Sequence, residues 1–384
     1  MSRRTVEIHS LAEFDQLLAH TSALNGWCVQ AVDLSERGDD LDRVIVRGAV
    51  FLGCRFAAGV ESELRRRGGL IFPALPSLPF DPYRPLPYTA DDLYLPAGQA
   101  RLGTYAESPD AAIYAWSKEG LPVPPLDHSL ATALHDHAMA DALGEALEDL
   151  DPRSVVGIMG GHALSRRDDV YWQAAELTSQ LTAAGRVVLT GGGPGAMEAA
   201  NLGAYLSPWP GALDEARAIM IKVADFRTID DWVDTAFQVR DRWPSDRAGR
   251  SIGIPTWFYG HEPSNVFATV ITKYFANALR EDTLLHRCRG GIVYLPGRAG
   301  TVQEIFQAVT ENYYATDSTR IAPMILVGRD YWTEQLPAWP LLSKLAEGRS
   351  MAKVIDCVDS VAEAFDRLES FAVADPVIRS SRRS

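Results

Sequence analysis

Two glycine-rich stretches hold the residues best suited to chemistry in this chain. The first is Thr190-Gly191-Gly192-Gly193-Pro194-Gly195-Ala196-Met197-Glu198 and the second is Leu295-Pro296-Gly297-Arg298-Ala299-Gly300-Thr301-Val302-Gln303-Glu304. Each joins an apolar run that reads as a strand to a run that reads as a helix. Glycine lets the backbone turn sharply and approach an anion with no Cβ in the way, and a helix starting there offers unpaired N–H groups and the positive end of its dipole. That is chemistry for a phosphate. The first stretch is not a Walker loop, because no Lys-Ser/Thr follows, and it departs from the GxGxxG order. Thr301-x-x-Glu304 also has a plain structural reading as a capping box, the two side chains satisfying the helix N-terminus reciprocally. Glu198, in the turn after the triple glycine, reads equally as a ribose hydroxyl ligand and as an acid favoured by the dipole.

The elements that must position these loops alternate from residue 151 onward. Short apolar strands are expected at 154–159, 186–190, 218–223, 252–259, 291–295, 321–327 and 352–355, with helices between most of them. Helix 169–184 is closed by Gly185. Strands separated by helices imply a parallel sheet covered on both faces, with ligands at the carboxyl ends of the strands. Both glycine loops fall at such ends, and Gly160-Gly161 falls at the end of the strand at 154–159. The fold class is therefore α/β, a Rossmann-like doubly wound parallel sheet with a smaller accessory N-terminal region. The expected division is 1–105 for that region, 106–150 for a helical lead-in, 151–370 for the nucleotide-binding domain and 371–384 for a tail.

In the N-terminal region Leu41, Val46, Phe51 and Phe56 recur every five residues, as do Val44, Ala49 and Cys54. Neither helix nor strand has that period. It resembles a pentapeptide-repeat coil, while residues 47–55 also read as an ordinary strand pair, and both readings stand. Residues 73–96 are rich in proline, with Phe80, Tyr83 and Tyr88 interleaved, which excludes a regular helix and suits an extended linker packed through its aromatics. A helix is expected at 129–150.

The whole chain has 384 residues, with 50 acidic against 37 basic and a formal charge of −13. A field of that sign repels nucleic acid and anionic lipid, so neither is expected as a partner, and a phosphate must be held by local donors. No apolar run approaches the length of a membrane span, and no signal peptide follows Met1-Ser2-Arg3-Arg4, which suits a cytoplasmic protein. Cys28, Cys54, Cys288 and Cys357 are scattered and read as reduced, mostly buried thiols, and the eight histidines show no ligand spacing. No metal and no cofactor are expected. His162 and His261 stand in loops at strand ends and read as packed or solvated, with contact to a base as the alternative. Arg166 and Arg167 read as phosphate helpers or an exposed basic pair, and Trp232, Trp243 and Trp257 as core.

Together the two loops resemble the signature of the Lonely Guy (LOG) family, GGGxxG-Met followed by PGGxGTxxE, over about residues 155–312. The resemblance implies hydrolysis of the N-glycosidic bond of a nucleoside 5′-monophosphate, releasing base and ribose 5-phosphate. It places the catalytic pair at Arg280 and Glu304, with Arg287 as a fallback because Arg280 lies one residue further from Pro296 than the pattern expects. It implies substrate binding by Gly160, Gly161, Gly191, Gly192, Gly193, Gly195, Glu198, Gly297, Arg298, Ala299, Gly300 and Thr301, and a homodimer. Arg298 stands where the family has glycine, which removes backbone freedom and adds a cation. The rival reading is a non-catalytic nucleotide or molybdenum-cofactor carrier of the same fold.

Overall fold

The computed structural model describes residues 6–75, 77–96, 103–119, 124–259, 262–316 and 321–374. Pro76, His261 and the tail from 375 onward lie outside them. The chain divides into two units, Met1–Pro87 with Glu119–Ala142, and Tyr88–Lys118 with Leu143–Ser384.

In the first unit, β1 (Val6–Ile8), β2 (Trp27–Gln30), β3 (Val50–Leu52) and β4 (Leu70–Phe72) form a parallel sheet in chain order. Val6 pairs with Trp27, Cys28 with Val50 and Val50 with Leu70, so each turn of chain takes 20 to 22 residues. Each turn lies on the one before, the quasi-one-dimensional stacking of a solenoid. Short helices at Leu11–Leu18, Gly38–Asp42 and Val60–Arg66 complete the turns. Ile8, Val29, Phe51 and Ile71 pair in succession and make one buried column. The residues at the five-residue step, Leu41, Val46, Phe51, Val44, Ala49 and Cys54, are all buried, and Phe56 packs against them. The strand-pair reading is corrected: residues 47–55 hold one strand, whose partners lie a full turn away in each direction. Parallel neighbours need long returns, which a local pattern does not reveal. Part of the proline-rich stretch packs here, with Tyr83 Oη donating to Pro73 O at 2.8 Å and Gln30 Nε2 donating to Tyr83 O at 2.7 Å. The expectation that proline excludes a helix from 73–96 is corrected: between Pro87 and Pro96 a short helix, Ala90–Tyr94, forms behind a capping box of Thr89 and Asp92.

The second unit is a Rossmann-like α/β fold. Its strands are β5 (Val155–Met159), β6 (Val187–Thr190), β7 (Ser251–Gly253), β8 (Val270–Ile271), β9 (Gly291–Tyr294), β10 (Met324–Val327) and β11 (Ile355–Val358). All pair in parallel in the order β11-β10-β9-β5-β6-β7-β8. Runs such as Val155–Met159 and Met324–Val327 are buried at every residue, because helices cover both faces. Helix Asp169–Ala183 ends before Gly185, whose φ of +83° gives the expected left-handed stop. The direction of strand order reverses between β5 and β9. In open α/β sheets the crevice outside the carboxyl ends at such a switch point is the place for a ligand.

Three strand expectations are corrected. Residues 218–223 begin inside helix Ala212–Met220, where Ala212, Ala216 and Met220 recur at four-residue steps and are the buried face. The strand expected at 252–259 stops at Gly253, just before Pro255, and its unforeseen neighbour is β8. At 352–355 a 3-10 turn, Ser350–Lys353, precedes β11. Among the described residues, no helix is long and apolar enough to cross a membrane.

Candidate functional site

β5 runs into Gly160-Gly161, β6 into the first glycine loop and β9 into the second, and the three turns interlock. Gly161 N donates to Pro296 O (3.1 Å), Gly161 O accepts from Ala196 N (3.1 Å), and Leu295 N donates to Met159 O (2.8 Å). Gly195 has φ +69°, and a Cβ there would lie 2.5 Å from Gly161 O, so glycine is obligatory. At Gly297 a Cβ would stand 2.1 Å from Thr301 Oγ1. Arg298, by contrast, has φ −113°, a value open to any residue. The cost in backbone freedom expected from its replacing glycine is therefore absent.

The first loop is clasped and buried throughout. Thr190 Oγ1 donates to Asn201 Oδ1 (2.7 Å) and accepts from Gly192 N (2.9 Å). Asn265 N donates to Gly192 O (2.8 Å), and Asn265 Nδ2 donates to Gly193 O (3.1 Å) and Asn201 Oδ1 (2.9 Å). Gly192's amide, expected to face a phosphate, is thus already committed. The second loop is open instead. Arg298, Ala299 and Gly300 are exposed at the start of helix Ala299–Tyr314, whose first amides have no partner within the helix. Tyr331 Oη donates to Gly297 O at 2.5 Å and steadies the turn. The capping-box reading of Thr301 and Glu304 is corrected. The N-cap is Arg298, no side chain caps the helix, and Thr301 already sits inside the first turn.

Glu304 lies further along that helix, buried like Arg280 and Glu281 of helix Asn277–Arg287. Arg280 Nε donates to Ile254 O (2.8 Å), Nη1 to Glu281 Oε1 (2.6 Å) and Nη2 to Gly191 O (3.3 Å). The arginine the resemblance points to therefore does reach the first loop. Arg287 does not: its Nη2 stands near Gly144. Glu262 pairs through Oε1 with His162 Nδ1 at 2.9 Å. Glu198 is not open to a ligand. It is 1% exposed, and both its oxygens accept from Arg166, which also donates to Thr235 Oγ1 and Trp232 O. Arg166 is thus a structural partner, and Arg167 is tied to Ile221 O at 3.2 Å. Trp232, Trp243 and Trp257 are core residues. A cavity of about 860 Å³ shares no residue with the loops; Asp91, Asp230, Asp234 and Asp241 among its walls make it a poor anion site.

No family model matches the chain, and no curated protein matches it. Among solved structures it is similar to the molybdenum cofactor binding protein of the phototrophic bacterium Rippkaea orientalis, at 17% identity and a TM-score of 0.35, over 56% of this chain and 96% of that one. It is also similar to the molybdenum cofactor carrier protein of Chlamydomonas reinhardtii, at 16% identity and a TM-score of 0.35, over 57% of this chain and 98% of that one. Likeness this distant says nothing about chemistry.

The electrostatics of the cluster follow from its burial. Glu304 is pushed up to about 8 by burial and by the neighbouring Glu281 carboxylate, with Glu262 adding to the shift and Arg280 opposing it. The shift favours the protonated form of Glu304 near neutral pH. Burial also raises Glu281, against the pull of Arg280. His162 is raised by its hydrogen bond to Glu262. Glu262 and the role of Glu281 escape a reading of motifs, because neither residue belongs to a glycine loop. Glu281's position beside Arg280 was the one available signal.

Proposed function

We propose that the chain hydrolyses the N-glycosidic bond of a nucleoside 5′-monophosphate to free base and ribose 5-phosphate. One observation carries the reading: Glu304 is buried, with burial pushing its carboxyl up and Arg280 acting on its charge, on the same helix as an exposed, uncapped N-terminus at the sheet's switch point. The helix rises about 1.5 Å per residue, so Glu304 stands roughly 7 Å along the axis from Ala299, the reach of a ribosyl unit.

In this reading the phosphate dianion sits on the amides of Ala299, Gly300 and Thr301, aided by the dipole and by Arg298. Glu304 donates its proton to the base as the C1′–N bond breaks, and the bonding electron pair leaves with the base. The oxocarbenium-like ribosyl centre is stabilised by the surrounding carboxylates. Water then adds to C1′, and the proton it sheds restores Glu304. The first glycine loop serves as the floor on which Arg280 is fixed.

The test is to incubate the protein with a panel of nucleoside 5′-monophosphates and the matching nucleosides and to measure free base. Release from nucleotides is expected, with far weaker action on nucleosides, since loss of the phosphate removes charge-assisted hydrogen bonds of roughly 1.5–3 kcal/mol each. Equal rates on both would refute phosphate anchoring. Tight binding with no release would assign a carrier role instead.

A further inference from the structure

Glu281 is a second buried acid at the site, and its surroundings differ from those of Glu304. Its Oε1 accepts from Arg280 Nη1 at 2.6 Å. Its Oε2 is buried and, among the described residues, has no hydrogen-bond partner; the same holds for Asn277 Oδ1. Asn277 lies four residues earlier on the same helix face and within hydrogen-bonding reach of Glu281, while its Nδ2 donates to Tyr259 Oη at 2.9 Å. A half-turn of the Asn277 carboxamide pairs every atom: Nδ2 then donates to Glu281 Oε2, and Oδ1 accepts from Tyr259 Oη. With the carboxamide turned, Glu281 accepts at both oxygens, as its ionised form does; unturned, the same two atoms pair only through a proton on Oε2 donated to Asn277 Oδ1.

Glu304 has no such donors. Among the described residues, no hydrogen bond reaches its carboxyl group. The charged and titratable groups around it are Glu281 and Arg280 on the neighbouring helix, Glu262 from the loop before β8, Tyr294 on β9 and Cys288. Two buried carboxyls that raise each other's charging cost do not both ionise readily, and the one that accepts a hydrogen bond from the Arg280 guanidinium takes the charge.

Resting on the hydrolytic site proposed above, we propose that Glu281 is a positioning residue: it fixes the Arg280 guanidinium against the first glycine loop and, as the ionised half of a pair with Glu304, keeps the proton on Glu304. Its charge thereby makes Glu304 an acid at neutral pH while Glu281 itself transfers nothing.

The experiment titrates the full chain carrying 13C-carboxyl glutamate by NMR, with the Glu304 signal assigned by its loss in Glu304→Gln. In the unsubstituted protein Glu304 is expected to titrate near 8. In Glu281→Gln, which keeps the shape and removes the charge, its midpoint is expected to fall by about one unit or more. An unchanged midpoint overturns the proposal. Glu281→Asp keeps the charge on a shorter arm, so the Glu304 midpoint should stay raised. A drop there overturns the proposal even if Glu281→Gln fails to fold. With substrate, the alkaline limb of kcat/KM should move to lower pH in Glu281→Gln together with the NMR midpoint, which a merely structural loss would not produce. If no nucleotide is turned over, the hydrolytic reading fails, and the NMR titration still decides the pairing.

Discussion

At the scale of single residues, Glu304 and Arg298 carry the distinctive chemistry. Glu304 caps nothing, since its helix begins five positions earlier at Ala299. Replacing it by Gln therefore costs no helix cap, yet it removes the proton that the leaving base needs. Glu304→Gln is expected to keep or raise the melting temperature while base release falls by roughly 10²-fold or more. Retained activity would leave Glu304 without a catalytic role. Arg298 is exposed at the N-cap, beside amides already suited to an anion. Because its φ is ordinary, Arg298→Gly tests the guanidinium alone. It should weaken affinity for phosphate-bearing ligands by about 1–3 kcal/mol, and by more at low salt, where screening is least. Calorimetry showing the same affinity for both proteins at every ionic strength would mean that the side chain plays no part.

At the scale of elements, the two glycine loops divide the labour. The loop after β6 is held from all sides by Thr190, Asn201, Asn265 and Arg280, and the loop after β9 is left open at a helix N-terminus. Asn265 is the keystone of the first. Its side chain donates to Gly193 O and Asn201 Oδ1 and accepts from Phe267 N at 3.1 Å. Asn265→Ala should destabilise the fold by about 1–3 kcal/mol for each buried group left without a partner, read as a lower midpoint in urea. kcat/KM should fall with it, because Arg280 rests on the same loop. Unaltered stability would show that the clasp does not hold the loop.

Across the whole molecule, the site leaves a mark on stability. The folded midpoint of Glu304, about 8, lies above its ordinary value of 4.5, so the native state keeps a proton that the unfolded chain has released. Unfolding between those values releases that proton, and stability falls as pH rises through the window. The contribution is complete below about 4.5 and gone above about 8. His162 is also raised, by Glu262, and acts with the same sign. Urea unfolding at a series of pH values should therefore show stability declining across this range, with a shallower slope in Glu304→Gln. Equal slopes in the two proteins would place Glu304 in the ionised form throughout.

The alternation of buried strands and helices, the three turns at strand ends and the anion-suited helix after Pro296 were all legible in the sequence. Each is written in residues a few positions apart, through apolar runs, periodicity and glycine. The partners were not. Arg166 lies 32 residues from Glu198 and Glu262 lies 42 from Glu304, and only the folded chain brings them together. Glu198 passed for a ligand because nothing local shows the arginine that occupies it. The N-terminal unit teaches the same lesson. Leu24-x-x-Trp27-x-Val29-x-x-Val32-x-Leu34 is repeated 22 residues later as Val46-x-x-Ala49-x-Phe51-x-x-Cys54-x-Phe56, which is one turn laid on the next. The five-residue step marks the inward residues within a turn, but which turn each strand pairs with is fixed by the return of the chain. Local pattern reports whether a residue is to be buried. Which partner meets it there, and hence which carboxyl keeps its proton, depends on low-dielectric contacts that exist only after folding.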